Sequence, residues 1–450
     1  MIVRRGAPGY ESLRRALVAN ARVPDRYPDV IVRPRTTQEV VEGIAEARRA
    51  GSPVVCRGGG HSWYGSPLRD GALVLDLSGL RELQVAPDER RLRAGPGATM
   101  GDLTDALEAH GLGFPAGHGR DVGVGGYLLS GGLGWNSGVW GPACHSLVGM
   151  EVVTADGLVV AADAAAHGDL LWAARGAGPG FFAAVTRFDL RVYAAPRSVL
   201  SSAFAFPMSA VDDVGAWIQG IGANLDERLE VSLAFARAPA AIHDLDIAAG
   251  QPVVVVTAVA FTGSREDGMR LLEPLERGIG RRGLEESEAR RETPQQALYE
   301  ISGARLPPAR RVAADCLWTD ADPRRLFTTL GEALVRAPGV DSWILVSMYP
   351  PEPPDVDALP SSFSPAGRFY VALYALWEHE EEASLHEAWL AGVVEDLEPL
   401  TAGRYVGEAD LAARPASARR CYDPDAWSRL AAIRERYDPG HVFASYPGGS

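Results

Sequence analysis

Lysine is absent from this chain of 450 residues, in which all 44 basic side chains are arginine. Its absence excludes several catalytic designs, because phosphate-binding P-loops, pyridoxal Schiff bases and amine general bases all need a lysine. Cysteine is scarce as well, and its four residues lie far apart without any Cys-x-x-Cys spacing. Such usage predicts reduced thiols in a cytoplasmic protein and no zinc or other metal site.

Long apolar runs are also missing. The first six residues lack the apolar core of a signal peptide, and no stretch reaches the length that spans a membrane. The formal net charge of −14 would repel nucleic acid and anionic lipid surfaces. We therefore expect neither nucleic acid nor membrane as a partner, and the sequence leaves the oligomeric state open. With 46% hydrophobic residues, the chain is long enough for two globular domains.

Glycine, in contrast, is abundant at particular places. Two β-branched residues, Val54 and Val55, lead into three consecutive glycines followed by a histidine. Glycines let main-chain N–H groups approach a ligand closely, which suits a pyrophosphate, and a histidine beside it could touch whatever the phosphates carry. A glycine-rich turn with an incidental histidine is the alternative on this stretch alone. The stretch contains Arg57, Gly58, Gly59, Gly60, His61 and Ser62.

Glycine is dense a second time between residues 123 and 134. Each glycine costs a helix about 1 kcal/mol relative to alanine, so this density predicts a backbone that is not helical. The interleaved Val124, Tyr127 and Leu128 argue against low complexity. We interpret the segment as main chain shaped around a ligand, with a structural turn as the alternative.

The two segments resemble those of the berberine-bridge-enzyme-like oxidases. These are FAD proteins of the vanillyl-alcohol-oxidase (p-cresol methylhydroxylase, PCMH) type, which includes 6-hydroxynicotine oxidase. The similarity continues through residues 169–187 and a closing element at residues 421–443, and covers roughly residues 27–446. It implies an FAD whose ring is bonded covalently to His61. Besides the first loop, the positions that the resemblance assigns to FAD are Gly117, Val122, Gly123, Gly125, Gly126, Gly131, Gly132, Gly176, Gly178, Val185 and Tyr446.

The resemblance implies an α+β fold with two domains. Residues 1–196 would form the N-terminal part of a split, PCMH-type FAD-binding domain. Residues 197–400 would form a substrate domain with an antiparallel sheet backed by helices. Residues 401–450 would be a berberine-bridge-like segment that returns to the FAD-binding domain.

Local patterns indicate the same mixture of elements. Thr36 and Glu39 form a capping-box pattern in front of a helix, and the turn Asp156-Gly157 predicts a hairpin. No complete G-x-G-x-x-G follows a strand, so a dinucleotide-binding βαβ unit is not expected. Further strands are predicted at 199–206, 229–236, 252–261, 344–346 and 369–376, and further helices at 213–221, 265–279, 324–335 and 378–397.

The chain departs from the family pattern near the flavin. Many relatives carry a second flavin bond through a cysteine, and Gly119 stands at that position, so we predict a single bond through His61. Val122 falls where relatives have a residue that controls oxygen access, and a small valine there favours oxidase behaviour. Tyr127 replaces a frequent histidine. The other histidines, expected to be surface or capping residues, include His110, His243 and His386.

The general base cannot be carried over from the family. Relatives often place a glutamate after a tyrosine on a substrate-domain strand, and here the pair is Tyr370-Val371. Glu408 stands at the usual catalytic tyrosine and could serve if burial raised its pKa toward neutrality, with an exposed loop carboxylate as the alternative. Tyr405, Tyr127 and Tyr370 are the other candidates, and tyrosines beside a ring often only pack. Two further departures are Gly407 and the pair Tyr446-Pro447.

The residues and the resemblance together predict an FAD-dependent oxidoreductase. It would oxidise a C–OH or C–N bond of a small natural-product molecule of secondary metabolism, with O₂ as acceptor and H₂O₂ as product. An oxidative cyclase is a second hypothesis, because a substrate that supplies its own nucleophile needs less from the protein. A flavoprotein that binds a ligand without redox turnover is a third. The missing base residues favour it, and the intact glycine segments oppose it.

Overall fold

The chain divides into two compact units. The first comprises Met1–Ala195, Asp357–Ser364 and Tyr405–Ser450, and the second comprises Pro196–Val356 and Pro365–Arg404. The proline-rich stretch at 350–354 and His243 lie outside the described residues. Among the described helices, none is both long and apolar enough to cross a membrane. The computed structural model describes residues 1–222, 224–242, 247–278, 289–307, 310–349 and 359–447.

The first unit is built on short strands in two larger sheets and one two-stranded ladder. Its strands are β1 (Ile2–Arg4), β2 (Val30–Val32), β3 (Val54–Arg57), β4 (Leu73–Asp76), β5 (Leu83–Ala86), β6 (Arg91–Ala94), β7 (Leu112–Gly113), β8 (Leu147–Val153), β9 (Val159–Asp163), β10 (Ala184–Arg191) and β11 (Tyr193–Ala194). The four-stranded sheet has the order β1-β2-β4-β3, and β4 runs parallel to both neighbours. The five-stranded sheet, β5-β6-β10-β8-β9, is antiparallel and contains the predicted hairpin, β8-β9.

Helices of the first unit follow the capping signals of the sequence. They are α1 (Tyr10–Ala16), α2 (Thr37–Ala50), α3 (Met100–Glu108), α4 (Val124–Leu129), α5 (Ser137–Trp140), α6 (Gly168–Ala174) and α12 (Pro424–Tyr437). The Thr36 side chain accepts a hydrogen bond from the Glu39 N–H, and Gly51 ends α2 at φ 66°. The helix predicted from this capping pattern is therefore confirmed.

The helix α4 corrects the expectation that the second glycine segment is not helical. Residues Val124–Leu129 form a six-residue helix that starts at Gly123. Its first N–H groups are anchored outside the helix, because Val124 donates to the Ala98 carbonyl at 2.8 Å and Gly125 donates to the Pro96 carbonyl at 3.1 Å. These tertiary hydrogen bonds offset the low helix propensity of glycine.

The second unit is a seven-stranded antiparallel sheet with helices packed on it. Its strands are β12 (Ser198–Pro207), β13 (Leu229–Arg237), β14 (Pro252–Thr262), β15 (Arg291–Glu292), β16 (Arg311–Thr319), β17 (Trp343–Met348) and β18 (Phe369–Trp377). Its helices are α7 (Val211–Gly222), α8 (Arg265–Gly278), α9 (Gln295–Gly303), α10 (Pro323–Val335) and α11 (Ala383–Leu397). The sheet order is β15-β12-β14-β13-β17-β18-β16. The predicted antiparallel sheet backed by helices is confirmed.

Alternate strand residues of the second unit join the helices in one core. Val371 and Leu373 of β18 belong to the same buried cluster as Leu326 and Leu330 of α10. Their spacing of two along the strand places them on one face of the sheet. Packing of this face against the helices removes a large apolar area from water, which stabilises the unit.

Sequence patterns missed or misplaced three features of the second unit. The strand β16 and the helix α9 were not predicted, and α11 begins at Ala383 rather than near residue 378. A charge interrupts the apolar pattern of β16: Asp315 is 1% exposed and pairs with the buried Arg404 at 3.2 Å. His386, expected to be a surface or capping residue, is 3% exposed and stacks on Trp377, with 5.4 Å between ring centroids.

Candidate functional site

The first glycine loop follows β3 directly, and Arg57 holds its conformation. The guanidinium donates to the main-chain carbonyls of Leu17 at 3.1 Å and Gly59 at 2.9 Å. It also donates to the buried carboxylate of Asp76 at 3.2 Å. Burial lowers the pKa of Arg57 and the charge of Asp76 opposes this shift. The positive charge of this loop is therefore already paired inside the protein.

Five consecutive main-chain N–H groups of the loop, those of residues 58–62, have no acceptor among the described residues. Gly60 is buried, and the other four residues are partly buried. Gly60 has φ 78°, and its carbonyl accepts a hydrogen bond from the Ala19 N–H at 3.0 Å, which fixes the loop. Because buried N–H groups in proteins are nearly always paired, this run of donors is suited to an acceptor from a ligand.

The second glycine segment lies directly against this loop. A Cβ on Gly59 would overlap the main-chain nitrogen of Gly123 and lie 2.6 Å from its Cα. A Cβ on Gly58 would lie 3.1 Å from the Pro96 carbonyl oxygen and 3.4 Å from the Gly126 nitrogen. Only glycine permits such close contact between two main chains. The fold thus joins the two segments that the sequence singled out.

Open space adjoins the start of α4. Gly126 is exposed, whereas Gly123, Val124 and Gly125 before it are buried. A Cβ on Gly126 would meet nothing within 4 Å. Open space at Gly126 therefore adjoins the loop whose five N–H groups have no acceptor among the described residues, and these donors favour an anionic group. These residues fit the diphosphate of FAD.

His61 lies at the end of the donor run. Its Nε2 is 3.2 Å from Oδ2 of Asp121, and this is the one partner of the imidazole among the described residues. Hydrogen bonding to His61 lowers the pKa of Asp121 below its ordinary value. A Cβ on Gly59 would lie 3.6 Å from the imidazole Cδ2, so the ring packs closely on the glycine loop.

Two of the predicted catalytic tyrosines contact main chain through their hydroxyl groups. Tyr127 donates to the Pro115 carbonyl at 2.8 Å, and its ring lies 2.8 Å from where a Cβ on Gly117 or on Gly132 would be. The Tyr405 hydroxyl accepts a hydrogen bond from the Gly132 N–H at 3.2 Å. Both side chains thus contact main chain around the second glycine segment, and their catalytic role stays a prediction.

Phe363 packs against two other predicted glycines, Gly131 and Gly176. A Cβ on Gly131 would lie 2.7 Å from the Phe363 Cε2, and a Cβ on Gly176 would lie 2.7 Å from the Phe363 Cα. Both glycines have positive φ, 114° and 133°. Gly178 also has positive φ, 57°, and packs against Val406. The turn after α6 therefore needs Gly176 and Gly178 for its main-chain conformation as well as for close contact with Phe363 and Val406.

Tyr446 covers the end of the same turn. A Cβ on Gly180 would lie 2.6 Å from Cε1 of the Tyr446 ring. The Tyr446 hydroxyl donates to the Ala177 carbonyl at 2.8 Å and lies 2.8 Å from the Tyr422 hydroxyl. Burial raises the pKa of Tyr446 above its ordinary value. The C-terminal residues thus hold the Gly176–Gly180 turn in place.

Glu408 is brought to the first glycine loop. It is partly buried, and its Oε1 accepts a hydrogen bond from the Trp63 Nε1–H at 3.5 Å. Trp63 lies two residues after His61. Tyr370 belongs to the second unit, on β18, where its ring packs against Trp318 at 5.0 Å between centroids.

The remaining predicted positions lie in the first unit. The Ser62 hydroxyl accepts a hydrogen bond from the Ser66 N–H at 3.1 Å. The Val122 carbonyl accepts one from the Met100 N–H at 2.9 Å. Val185 is buried on β10. In the described part of the chain, no group of three His, Cys, Asp or Glu side chains could hold a metal ion.

Three residues at the site were not predicted. Trp63 and Asp121 stand beside predicted positions, so their neighbours in the sequence were a usable signal. Phe363 had none, because it reaches Gly131 and Gly176 only through the tertiary fold.

Comparison with known proteins agrees with this site. A family model described as an FAD binding domain matches residues 28–163. The crystal structure of 6-hydroxy-D-nicotine oxidase from Arthrobacter nicotinovorans is 21% identical with a TM-score of 0.82, covering 99% of this chain and 96% of that chain. Berberine bridge enzyme from Eschscholzia californica is 19% identical with a TM-score of 0.83, covering 100% and 97%. The fold and site define an FAD-binding protein of the PCMH type.

Sequence similarity extends over nearly the whole chain. The FAD-linked oxidoreductase penO from Penicillium crustosum is 30% identical over 444 residues, which are 97% of this chain and 94% of that protein. The chain belongs to the berberine-bridge-enzyme-like family of FAD-linked oxidoreductases, and it is an enzyme.

Proposed function

We propose that this protein is an FAD-dependent oxidase that carries its flavin on His61. It would oxidise a C–OH or C–N bond of a small natural-product molecule, and O₂ would take the electrons and leave as H₂O₂. The observation that carries the proposal is the run of five N–H groups at residues 58–62 that find no acceptor in the described part of the chain. This run includes His61 and lies against the second glycine segment. Membership in the FAD-linked oxidoreductases supports the cofactor.

Main-chain groups would hold the cofactor. The N–H groups of residues 58–62 would donate to the diphosphate, next to the open space at Gly126. The braced turn at Gly176 and Gly178 would support the edge of the flavin ring, as the resemblance implies. Bound FAD supplies a hydride acceptor that can be reoxidised by O₂. A bond from His61 would prevent its loss.

Glu408 is the best candidate for the general base in the first unit. Its carboxylate accepts the Trp63 indole N–H beside the loop that carries His61. From there it would take the proton of a substrate O–H or N–H group. Tyr127 and Tyr405 use their hydroxyl groups for main-chain contacts, which favours a supporting role for both. Tyr370 stays an alternative on the second unit.

The base assignment is tested with Glu408→Gln. We expect kcat to fall about 100- to 10,000-fold, the range of general base catalysis, at unchanged flavin content. Glu108→Gln, an exposed glutamate at the end of α3, is the matched control and should keep full activity. Full turnover by the Glu408 variant would eliminate this carboxylate as the base.

The covalent bond is tested by acid precipitation. Yellow colour should stay with the precipitated wild-type protein and move to the supernatant in His61→Ala. The exposed His110 provides the control, since His110→Ala should keep its colour in the precipitate. Release of all flavin from the wild-type protein would refute the covalent bond and leave FAD binding intact.

Oxygen consumption and H₂O₂ formation over a panel of alcohols and amines test the oxidase activity, for which the small Val122 side chain is the favourable feature. An oxidative cyclase is the second candidate, because Val371 and Glu408 stand in place of the usual base residues and a substrate that supplies its own nucleophile needs less from the protein. Product mass separates the two, because oxidation removes two hydrogens and cyclisation also forms a ring. Ligand binding without any turnover would instead indicate a binding protein.

A cytoplasmic location is also part of the proposal, and the four free cysteines are consistent with it.

A further inference from the structure

The contact between Asp121 and His61 has no role in the function proposed so far. Oδ2 of Asp121 lies 3.2 Å from Nε2 of His61, although the carboxylate side chain is 78% exposed and the imidazole 23%. An exposed carboxylate has many conformations available, so its direction toward the imidazole needs a cause. The neighbouring Arg120 pairs with Asp105 at 2.6 Å and is directed elsewhere.

The main chain on both sides of Asp121 is fixed. The Arg120 carbonyl accepts a hydrogen bond from the Gly101 N–H at 2.8 Å, and the Val122 carbonyl accepts one from the Met100 N–H at 2.9 Å. Asp121 therefore lies between two residues that are hydrogen-bonded to the first residues of α3. A short side chain on such a backbone reaches a restricted volume, and that volume contains the imidazole Nε2.

The contact determines which imidazole nitrogen is free to react. A carboxylate beside Nε2 favours the tautomer with its proton on Nε2, and the lone pair then lies on Nδ1. The negative charge also stabilises positive charge that develops on the ring when Nδ1 forms a bond. Carboxylates that pair with metal-binding histidines act in the same way on the opposite nitrogen.

We propose that Asp121 is the positioning residue for flavin attachment: it fixes the Nε2–H tautomer of His61, directs Nδ1 to the flavin and accepts the Nε2 proton as the bond forms. The inference rests on the proposed covalent link.

The reaction balances with O₂ as oxidant. The imidazole donates the Nδ1 electron pair to the methyl carbon on the flavin ring, and one proton leaves that carbon. The Nε2 proton passes to Asp121 and then to water. O₂ takes up the two electrons and two protons and leaves as H₂O₂. One N–H and one C–H bond are broken for each C–N bond formed.

Attachment is measured by mixing apoprotein with FAD in air, quenching in acid at intervals and determining the flavin that stays with the precipitated protein. We expect Asp121→Asn to bind the same total FAD before the quench but to attach it at least about tenfold more slowly. Asp121→Glu should recover part of the rate, because it restores a carboxylate. Asp88→Asn removes an exposed carboxylate elsewhere in the first unit and should attach flavin at the wild-type rate.

The outcomes separate this inference from the proposed function. Attachment by Asp121→Asn at the wild-type rate would overturn the role of Asp121 and leave the covalent oxidase intact. A wild-type protein that binds FAD but releases all of it in acid would overturn both the covalent link and this inference. If the asparagine variant does not fold, Asp121→Ser is measured in its place against the same expectation.

Discussion

Gly59 and Gly123 pack main chain against main chain, so that a Cβ on either residue would overlap the backbone nitrogen of the other. Both segments are held in place by further contacts. Arg57 holds the Gly59 carbonyl at 2.9 Å, and Gly123 is bridged to Thr99 in front of α3. This contact holds the two glycine segments together.

Gly59→Ala should separate the two segments. The extra methyl group has no space, and overpacking of this kind costs about 1–3 kcal/mol in unfolding free energy. Bound flavin, measured by its visible absorbance, should fall sharply together with stability in urea. Gly220→Ala in α7, where a Cβ meets nothing within 4 Å, is the control and should retain both properties. Wild-type flavin content in the Gly59 variant would show that the contact is not needed.

Gly126→Ala should lower the affinity for FAD without lowering the stability of the apoprotein. A Cβ there meets nothing within 4 Å, and alanine favours a helix over glycine by about 1 kcal/mol, so the apoprotein should be at least as stable as the wild type. FAD affinity, measured by titration of apoprotein in the His61→Ala background, where the covalent bond cannot form, should fall because the methyl group enters the space beside the N–H donors of the first loop. Gly392→Ala in α11 is the matched helical control. Unchanged affinity in the Gly126 variant would place the diphosphate elsewhere.

Asp76→Asn should weaken the support of the first loop. Asp76 is fully buried and accepts hydrogen bonds from Arg33 at 2.6 Å and Arg57 at 3.2 Å. Loss of its charge leaves the buried guanidinium of Arg57 uncompensated, which costs about 3–5 kcal/mol. Chemical denaturation measures this loss, and Asp88→Asn, at an exposed aspartate, should cause almost none. A loss below 1 kcal/mol would contradict the role assigned to the pair.

Acid should destabilise the first unit through His145. Burial, together with the nearby charge of Arg175, lowers the pKa of His145 from 6.5 to about 4 in the folded protein. Between these values the unfolded chain binds more protons, so this contribution to stability is present above pH 6.5 and is lost as pH falls through 4. At about 1.4 kcal/mol per pKa unit, the full loss between pH 6.5 and pH 4 is on the order of 3–4 kcal/mol.

His145→Gln should remove this part of the pH dependence, measured as urea unfolding at pH 7, 5.5 and 4.5. His110→Gln, at an exposed histidine, should leave it unchanged. Equal slopes for wild-type protein and the His145 variant would mean that His145 is not the group responsible.

Much of the fold was predictable from local signals. The Thr36 cap, the Asp156-Gly157 turn and the long apolar strands of the second unit are encoded within a few residues of one another. The strand β16 was not predictable in this way. Asp315 interrupts its pattern and is tolerated only because Arg404, far along the chain, neutralises it. The prediction for residues 123–126 was wrong in the opposite sense. Their glycines argued against a helix, but α4 forms because its first N–H groups donate to the carbonyls of Pro96 and Ala98.

The candidate site shows the same division. Sequence alone determined which residues lack side chains and where the histidine stands, because a glycine loop is a local property that needs no partner to be recognised. Only the tertiary structure decided that the hydroxyl groups of Tyr127 and Tyr405 contact main chain. The same holds for the contact of Glu408 with Trp63 and of Asp121 with His61. These contacts join residues from separate elements, and their distances depend on how the elements pack.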